Sequence, residues 1–448
     1  MASCMLRSLV VALLAASASA AAIPGAKATN ATSTSSNSTA MLPLSSDDSF
    51  SYELLRTVSL SRSYGADTAE VLQAAGRIVP GDLESFSSAF STLSNHVYSQ
   101  ALAINKTEDP VTAREAFFRA STYFRSADFY LHGNASDPRL VTLWANQTDA
   151  FNSAIALLPI PGQRVTLKSA DGSFEIPCIY YKAAGANATH PRPTVILGNG
   201  YDGAQEEMLH ATGFDALDRG YNVITYEGPG QPTVRREQNL GFITNWETVV
   251  TPVVDFLETL PEVDATKLGL FGYSMGGWLA VRAAAFEHRL AAVWAVDGLY
   301  SVFAPYYNAL TPDVRALYDA GNFSAFDAEV NAYLDSGLAP TETLWSLQQG
   351  IWSFDVSTVS EFLRKTEPMT LDGISQQVQC PVWIGAPSED IFFPGQPEQV
   401  RDALPAGLAS YHYLTAADGA QNHCHVGAMA YVNGLVYDWF EEVLASRS

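Results

Sequence analysis

The chain has 448 residues, enough for two packed domains with sizeable cores, and its 47% hydrophobic and 11% aromatic content is that of a globular protein rather than a disordered one. With 47 Asp and Glu against 25 Lys and Arg, the formal net charge is −22, which argues against nucleic acid or an anionic membrane as partner. Four cysteines in a chain this long exclude a disulfide scaffold.

In chain order, residues 1–20 read as a signal peptide. Arg7 makes a small basic region, Leu9 to Ala16 an apolar core, and Ala18-Ser19-Ala20 a small-residue cleavage site. The apolar stretch is too short to span a bilayer and no other segment of that kind follows, so a secreted or secretory-lumen protein with no stable membrane anchor is expected. Seven N-x-[ST] sequons agree with export: Asn30, Asn37, Asn105, Asn134, Asn146, Asn187 and Asn322. Cleavage leaves Cys178, Cys380 and Cys424, so at most one disulfide forms, and whether Cys178 pairs with Cys380 is open.

Residues 21–46 are Ser/Thr-rich and read as a flexible leader. Residues 47–160 are helical in pattern. Ala113, Phe117, Ala120, Phe124, Ala127 and Leu131 recur every three or four residues, making one apolar stripe with Arg119 and Arg125 near its edges. Those arginines read as solvated or paired with helix carboxylates. From residue 161 strands and helices alternate. QRVTLKS and FEIPCIYYKA form a hairpin turning at Asp171-Gly172; TVILGNG, NVITYEG, KLGLFGYS, AVWAVDG, PVWIGAP and ASYHYLT follow as short apolar strands. The pattern predicts an α/β fold, a mainly parallel sheet with helices on both faces. Residues 161–299 and 376–448 would be its two parts, divided by a helical, aromatic-rich insertion at 300–375 placed as a lid.

The chemistry centres on Gly272-Tyr273-Ser274-Met275-Gly276-Gly277, which lies between an apolar run and a helix-forming stretch. This is the G-x-S-x-G nucleophile elbow of the α/β-hydrolase fold. The serine sits on a tight strand-to-helix turn, and Gly272 and Gly276 are small so that neighbouring backbone can approach. The Met275 N–H is then placed to donate to an oxyanion. In that plan an acid and then a histidine follow the serine, and the chain supplies Glu389-Asp390 after one strand and His423-Cys424-His425 after the next. Adjacent residues at a strand end face opposite ways, which favours Asp390 over Glu389; spacing alone does not separate His423 from His425. The second oxyanion donor should come from the Gly-rich turn Gly198-Asn199-Gly200-Tyr201, with the Tyr201 N–H as candidate. Cys424 reads as a small packed residue. His423-Cys424-His425 cannot by itself enclose a tetrahedral ion, so neither metal nor cofactor is expected.

The chain resembles fungal α/β-hydrolases related to the FrsA-like proteins and dihydropseudooxynicotine hydrolase, and within them the yellowish-green pigment hydrolases that shorten polyketides. The resemblance rests on Asn199-Gly200-Tyr201-Asp202, on Tyr226-Glu227-Gly228-Pro229-Gly230-Gln231-Pro232, on the elbow, on Phe392-Phe393-Pro394-Gly395-Gln396-Pro397 and on His423-Cys424-His425-Val426-Gly427. Arg119-Ala120-Ser121 and Ala127-Asp128-Phe129 match the family's N-terminal helical domain. The resemblance implies Asp390 as acid and His423 as base. It also implies a small, apolar, polyketide-like substrate cleaved at a C–C bond between carbonyls or cyclised by acyl transfer; it leaves room for a homodimer. A secreted carboxylesterase is the nearest alternative. A non-catalytic binding protein on a hydrolase scaffold would have lost a triad member, and a prolyl-type peptidase would carry a β-propeller in place of the helical N-terminus.

Overall fold

The computed structural model of the protein describes residues 41–447. The signal peptide, Asn30 and Asn37 therefore lie outside the described residues. Five helices come first: α1 (Asp48–Ser59), α2 (Thr68–Ala75), α3 (Leu83–Ala103), α4 (Pro110–Asp128) and α5 (Arg139–Ile155). Four of them start at an aspartate, Asp47, Asp67, Asp82 and Asp109, whose carboxylate accepts a first-turn N–H that would otherwise lack a partner. The apolar stripe of α4 is fully buried at Ala113, Phe117, Ala120, Phe124 and Ala127, packed between α3 and α5. Arg119 pairs with Glu70, as a helix-edge arginine should. Arg125 instead points inward, to Glu53 and Asp202.

Eight strands follow: β1 (Gln163–Lys168), β2 (Glu175–Tyr181), β3 (Arg192–Gly198), β4 (Asn222–Tyr226), β5 (Val263–Tyr273), β6 (Ala292–Val296), β7 (Val382–Pro387) and β8 (Ala409–Leu414). They form one sheet in the order β1-β2-β4-β3-β5-β6-β7-β8. β1 and β2 are the expected antiparallel hairpin, β2 runs antiparallel to β4, and every other pairing is parallel. β4, β6 and β7 are buried along their whole length, because helices cover both faces of a parallel sheet and leave no side for polar residues. Between β6 and β7 the chain leaves the sheet for five helices, Phe303–Ala309, Pro312–Asp319, Phe323–Asp335, Thr341–Ser353 and Val359–Thr366. This insertion meets the N-terminal helices directly: Trp345 stacks on Phe129 at 4.8 Å, and the Thr341 hydroxyl donates to Asp47.

Parallel strands place all their carboxyl ends on one edge, where α/β sheets bind ligands. Here the turns after β3, β5, β6, β7 and β8 carry Asn199–Asp202, Ser274, Asp297, Asp390 and His423 to that edge. Of the sequons within the described residues, Asn105, Asn134, Asn187 and Asn322 are exposed and Asn146 is half-buried. No helix among the described residues is long and apolar enough to cross a membrane. Cys178, Cys380 and Cys424 are separate buried thiols.

Candidate active site

Ser274 follows the last residue of β5 in a left-handed backbone conformation, φ 58°, which a side chain adopts only where the surroundings impose it. Its N–H donates to the Val296 carbonyl at 2.5 Å, and the Gly276–Ala284 helix begins immediately behind it. Both flanking glycines are needed for close approach. A Cβ on Gly272 would strike the Gly276 carbonyl, and one on Gly276 would come within 2.8 Å of the Asn199 carbonyl.

The histidine loop supplies the partner. His423 Nε2 lies 2.8 Å from Ser274 Oγ, and its Nδ1 is 3.1 and 3.2 Å from the two oxygens of Asp390. The structure thus brings Ser274, His423 and Asp390 together. It does not bring Glu389 or His425 to the serine. Glu389 is exposed, and His425 points the other way, its Nδ1 2.7 Å from the Ala420 carbonyl and its ring edge-on to Trp383. Asp390 Oδ1 also accepts the N–H groups of Phe392 and Phe393, whose rings then flank His423 edge-on. That is the local work of the Phe392-Phe393 motif. The histidine backbone is tied down as well: the Tyr52 hydroxyl from α1 donates to the His423 carbonyl and the Tyr273 hydroxyl to that of Cys424.

A second carboxylate, not anticipated from the sequence, completes the cluster. Asp297, one residue past β6, places Oδ2 2.7 Å from His423 Nδ1, nearer than Asp390, and accepts the Cys424 N–H at 2.8 Å. Its other oxygen faces His425 Nε2 at 3.8 Å, and neither of these two buried atoms has a hydrogen-bond partner. Its signal in the sequence was only an aspartate closing the apolar strand AVWAVDG. Burial pushes the Asp297 carboxyl up, to about 7, against the pull of His423. Burial also works against the Asp390 anion, but His423 overcomes it and holds that carboxyl below its usual range. Burial lowers His425 to about 4, so its imidazole is neutral. For His423, burial is outweighed by Cys424, Asp390 and Asp297, and the imidazole is held well above its ordinary value. Asp297, His423 and Cys424 put three ligand-type atoms within 4.8 Å of one another. The carboxylate and imidazole are engaged in the contacts just described, the Cys424 thiol donates to the Val296 carbonyl, and burial pushes that thiol up to about 12.

The turn after β3 lies directly over the elbow. A Cβ on Gly200 would stand 2.6 Å from the Tyr273 carbonyl, 2.9 Å from the Met275 nitrogen and 3.0 Å from Ser274 Cβ. Gly200 N–H donates to Asn199 Oδ1, while the Tyr201 and Met275 N–H groups donate to no acceptor among the described residues. Two sets of residues hold this turn. From below, Gln231 of the Tyr226–Pro232 motif donates to the carbonyls of Asn199 and Gly200. From the side, Asn199 donates to Glu207, which accepts a bidentate pair of 2.6 Å bonds from Arg56 of α1. Arg56 and Arg125 both reach Asp202, at 2.7 and 2.8 Å, and both reach Glu53. Two guanidinium groups and three carboxylates are thereby buried together between the helical region and the sheet.

Over Ser274 stands a partly open cleft of about 740 Å³, its mouth included. Tyr52, Phe129 and Tyr130 wall it from the N-terminal helices, Tyr306 and Trp345 from the insertion, and Phe392 and Phe393 from the acid loop. Glu342, on the insertion helix Thr341–Ser353, feels Asp390 across the site; burial and then Asp390 push it up to about 7.

A serine in an elbow, a histidine on its hydroxyl and a carboxylate behind the histidine, all at the carboxyl edge of this sheet, define a hydrolase-type site. The sequence comparison agrees: residues 195–439 match the model of the alpha/beta hydrolase family, and the chain belongs to that family. Among its relatives are a hydrolase named LUC6 from Fusarium sp, 29% identical over 89% of this chain and 97% of that protein, and the 20-hydroxy-prefusarin hydrolase FUS2 from Gibberella moniliformis, 29% identical over 89% and 97%. Hydrolyase poxO from Penicillium oxalicum is also 29% identical, over 79% and 87%. Among solved structures, the 2,6-dihydroxy-pseudo-oxynicotine hydrolase superposes with a TM-score of 0.68 at 21% identity, over 87% of this chain and 96% of that one. That likeness is one of fold, and includes the helical N-terminal region. The protein is an alpha/beta hydrolase, similar in sequence to these fungal hydrolases.

Proposed function

We propose that the protein is a serine hydrolase that opens, or closes into a ring, a β-dicarbonyl compound of the polyketide type. Ser274 is the nucleophile, His423 the base, Asp390 the ionised acid, and the Met275 and Tyr201 N–H groups the oxyanion donors. The observation that carries this is the 2.8 Å contact between Ser274 Oγ and His423 Nε2 beneath an aromatic cavity.

Ser274 Oγ attacks a substrate carbonyl and its proton passes to His423 Nε2. The Met275 and Tyr201 amides take the oxyanion. As the tetrahedral carbon collapses, the C–C bond to the neighbouring α-carbon breaks and its electron pair leaves as an enolate. The second carbonyl delocalises that enolate, and the proton on His423 quenches it. Water, deprotonated by the same histidine, then attacks the acyl-serine and regenerates Ser274; an internal hydroxyl or carbon nucleophile in its place gives a ring. An alkoxide needs no such delocalisation, so esters are also cleaved. The walls formed by Tyr52, Tyr130, Tyr306 and Trp345 favour a bulky apolar ligand and exclude water from the enolate step. A relative named for 20-hydroxy-prefusarin supports a secondary metabolite as substrate.

Ser274→Ala protein should fold, lose fluorophosphonate labelling and lose turnover of both β-diketones and p-nitrophenyl esters. Labelling that persists would refute the nucleophile. Efficient ester turnover beside inert diketones would make the protein a carboxylesterase. Export is part of the proposal, supported by residues 1–20 and by the four exposed sequons. The mature chain should begin near Ala21 and shift on deglycosylation; an intact Met1 with no shift would refute it.

A further inference from the structure

One side chain holds two successive peptides of the turn above the elbow. Gln231 is fully buried, immediately ahead of the short helix Pro232–Glu237. Its Nε2 donates to the Asn199 carbonyl at 2.8 Å and to the Gly200 carbonyl at 3.3 Å. Its Oε1 accepts the Gly228 N–H at 2.9 Å, so the amide can stand only one way round: turned over, it would set oxygen against both carbonyls. The loop that carries it is itself fixed, because the Glu227 carboxylate accepts the N–H groups of Gln205 and Thr233 at 2.8 and 2.6 Å.

A trans peptide sends its C=O and its N–H to opposite edges. With the Asn199 and Gly200 carbonyls both drawn to Gln231, the Gly200 and Tyr201 N–H groups face away from it. Asn199 Oδ1 takes the first at 2.8 Å; the second donates to no acceptor among the described residues, at a residue that lines the cleft over Ser274. Two carbonyls side by side repel each other, and one amide with two hydrogens relieves both. Without it the Gly200–Tyr201 peptide is the one free to turn, because glycine puts little steric restraint on rotation. Its carbonyl oxygen would then swing toward the oxyanion, and its N–H would swing away.

We infer that Gln231 is a positioning residue for the reaction, keeping the Tyr201 amide aimed at the oxyanion by holding the carbonyl of the same peptide. This rests on Ser274 being the nucleophile and the Tyr201 N–H an oxyanion donor. Gln231 does not line the cleft, so its loss should act on the transition state and leave ground-state binding alone.

Gln231→Met keeps the length and loses both bonds; Gln231→Glu keeps the shape and the Gly228 contact. With a cooperative melt confirming the fold, Gln231→Met should lose about ten- to a hundredfold in kcat on p-nitrophenyl butyrate with little change in KM, part of what one oxyanion donor supplies. Inhibition by hexyl trifluoromethyl ketone, whose adduct with Ser274 carries an oxyanion, should weaken by the same factor. Inhibition by hexyl methyl ketone, bound without that adduct, should not change. In Gln231→Glu the protonated carboxyl can donate to one carbonyl, whereas its anion repels both. That acid would be buried, with Glu227 in its own turn and Glu207, paired with Arg56, on the far side of Asn199. The activity of Gln231→Glu relative to wild type should therefore fall as the pH rises, and this profile decides if the methionine variant does not fold. Wild-type kcat in both variants, or equal weakening of both ketones with a flat pH ratio, overturns the positioning role while leaving Ser274 in place. If no fluorophosphonate labels Ser274 in the wild type, the underlying reading fails and the positioning role falls with it.

Discussion

Two carboxylates share the Nδ1 side of His423, and the structure says which of them should matter to the rate. His425 gives its Nδ1 proton to the Ala420 carbonyl and, being neutral, presents a lone pair on Nε2 to Asp297 Oδ1. An ionised Asp297 would set a bare anionic oxygen against that lone pair in a dry pocket. A proton on Oδ1 removes the conflict, because a carboxylic acid can donate where a carboxylate cannot. The upward push that burial gives Asp297 agrees in sign. There is a catalytic reason as well. Two anions within hydrogen-bond reach would keep His423 as imidazolium, unable to accept the serine proton; one anion orients it and leaves it a base.

Asp297→Asn should therefore be mild. Its amide can face His425 Nε2 as a donor while its carbonyl keeps the Cys424 N–H, so kcat/KM should stay within about tenfold of wild type. Asp390→Asn removes the anion itself and should cost about 10⁴-fold, or roughly 5 kcal/mol of transition-state stabilisation. The pH profile gives a second readout. The acid limb of kcat/KM reports His423 losing its proton, and wild-type Asp297 adds a negative charge beside it as the pH passes about 7. Taking that charge away lowers the histidine's pKa, so the limb in Asp297→Asn should move to lower pH, by roughly one to three units. Since the groups titrate together, the limb belongs to the cluster and not to one residue. If Asp297→Asn proves as inactive as Asp390→Asn, Asp297 is the ionised acid and this account of the proton is wrong; a limb that stays in place would show that Asp297 adds no charge beside His423.

Gly200→Ala should keep the fold but push the oxyanion turn away from the elbow, because the new methyl meets the Tyr273 carbonyl at 2.6 Å. A loss of about 10² to 10³ in kcat is expected, the cost of one oxyanion donor, and near wild-type kcat would remove Tyr201 from that role. Arg56→Ala leaves Glu207 and Asp202 buried without their nearest cation and should lower stability in denaturant titration by about 3–5 kcal/mol. Burial opposes the Glu207 anion, but Arg56 and Arg125 hold its carboxyl down at about 2. The stability this confers is present above about pH 4.5 and is lost as the pH falls from there toward 2. That acid step should shrink in Arg56→Ala; a step of unchanged size would show that Arg56 does not stabilise the anion.

The sheet was legible because its strands are short apolar runs between turn residues, and Ser274 because the elbow needs small residues at fixed offsets. Asp390 and His423 followed from chain order and from motifs whose work the structure now explains. Phe392 and Phe393 give their N–H groups to Asp390, and Gln231 carries the Asn199-Gly200 turn on its side-chain amide. Asp297 was not legible. An aspartate ending an apolar strand reads as a turn residue, and only the parallel pairing of β6 between β5 and β7 brings it beside the histidine. Arg125 does pair with a helix carboxylate as read, Glu53 of α1, but the stripe of α4 gave no sign of its second partner. Its partner Asp202 lies 77 residues on, in another part of the fold.

That long-range pair decides how the N-terminal helices bear on the chemistry. Arg56 and Arg125 come from different helices and converge on one oxygen of Asp202, the residue next to the Tyr201 amide. Tyr52, one turn from Arg56 on α1, donates to the carbonyl of His423 itself. The helical region thus touches both sides of the reacting centre, the oxyanion turn through ion pairs and the base through a hydroxyl, as well as walling the cavity with Phe129 and Tyr130. Removing one partner from such a buried cluster strands the remaining charges, so the sheet cannot keep this site once the helices are gone. On the proposed mechanism the helical N-terminus would therefore serve as part of the catalytic frame, through its contacts to Asp202 and to the His423 carbonyl.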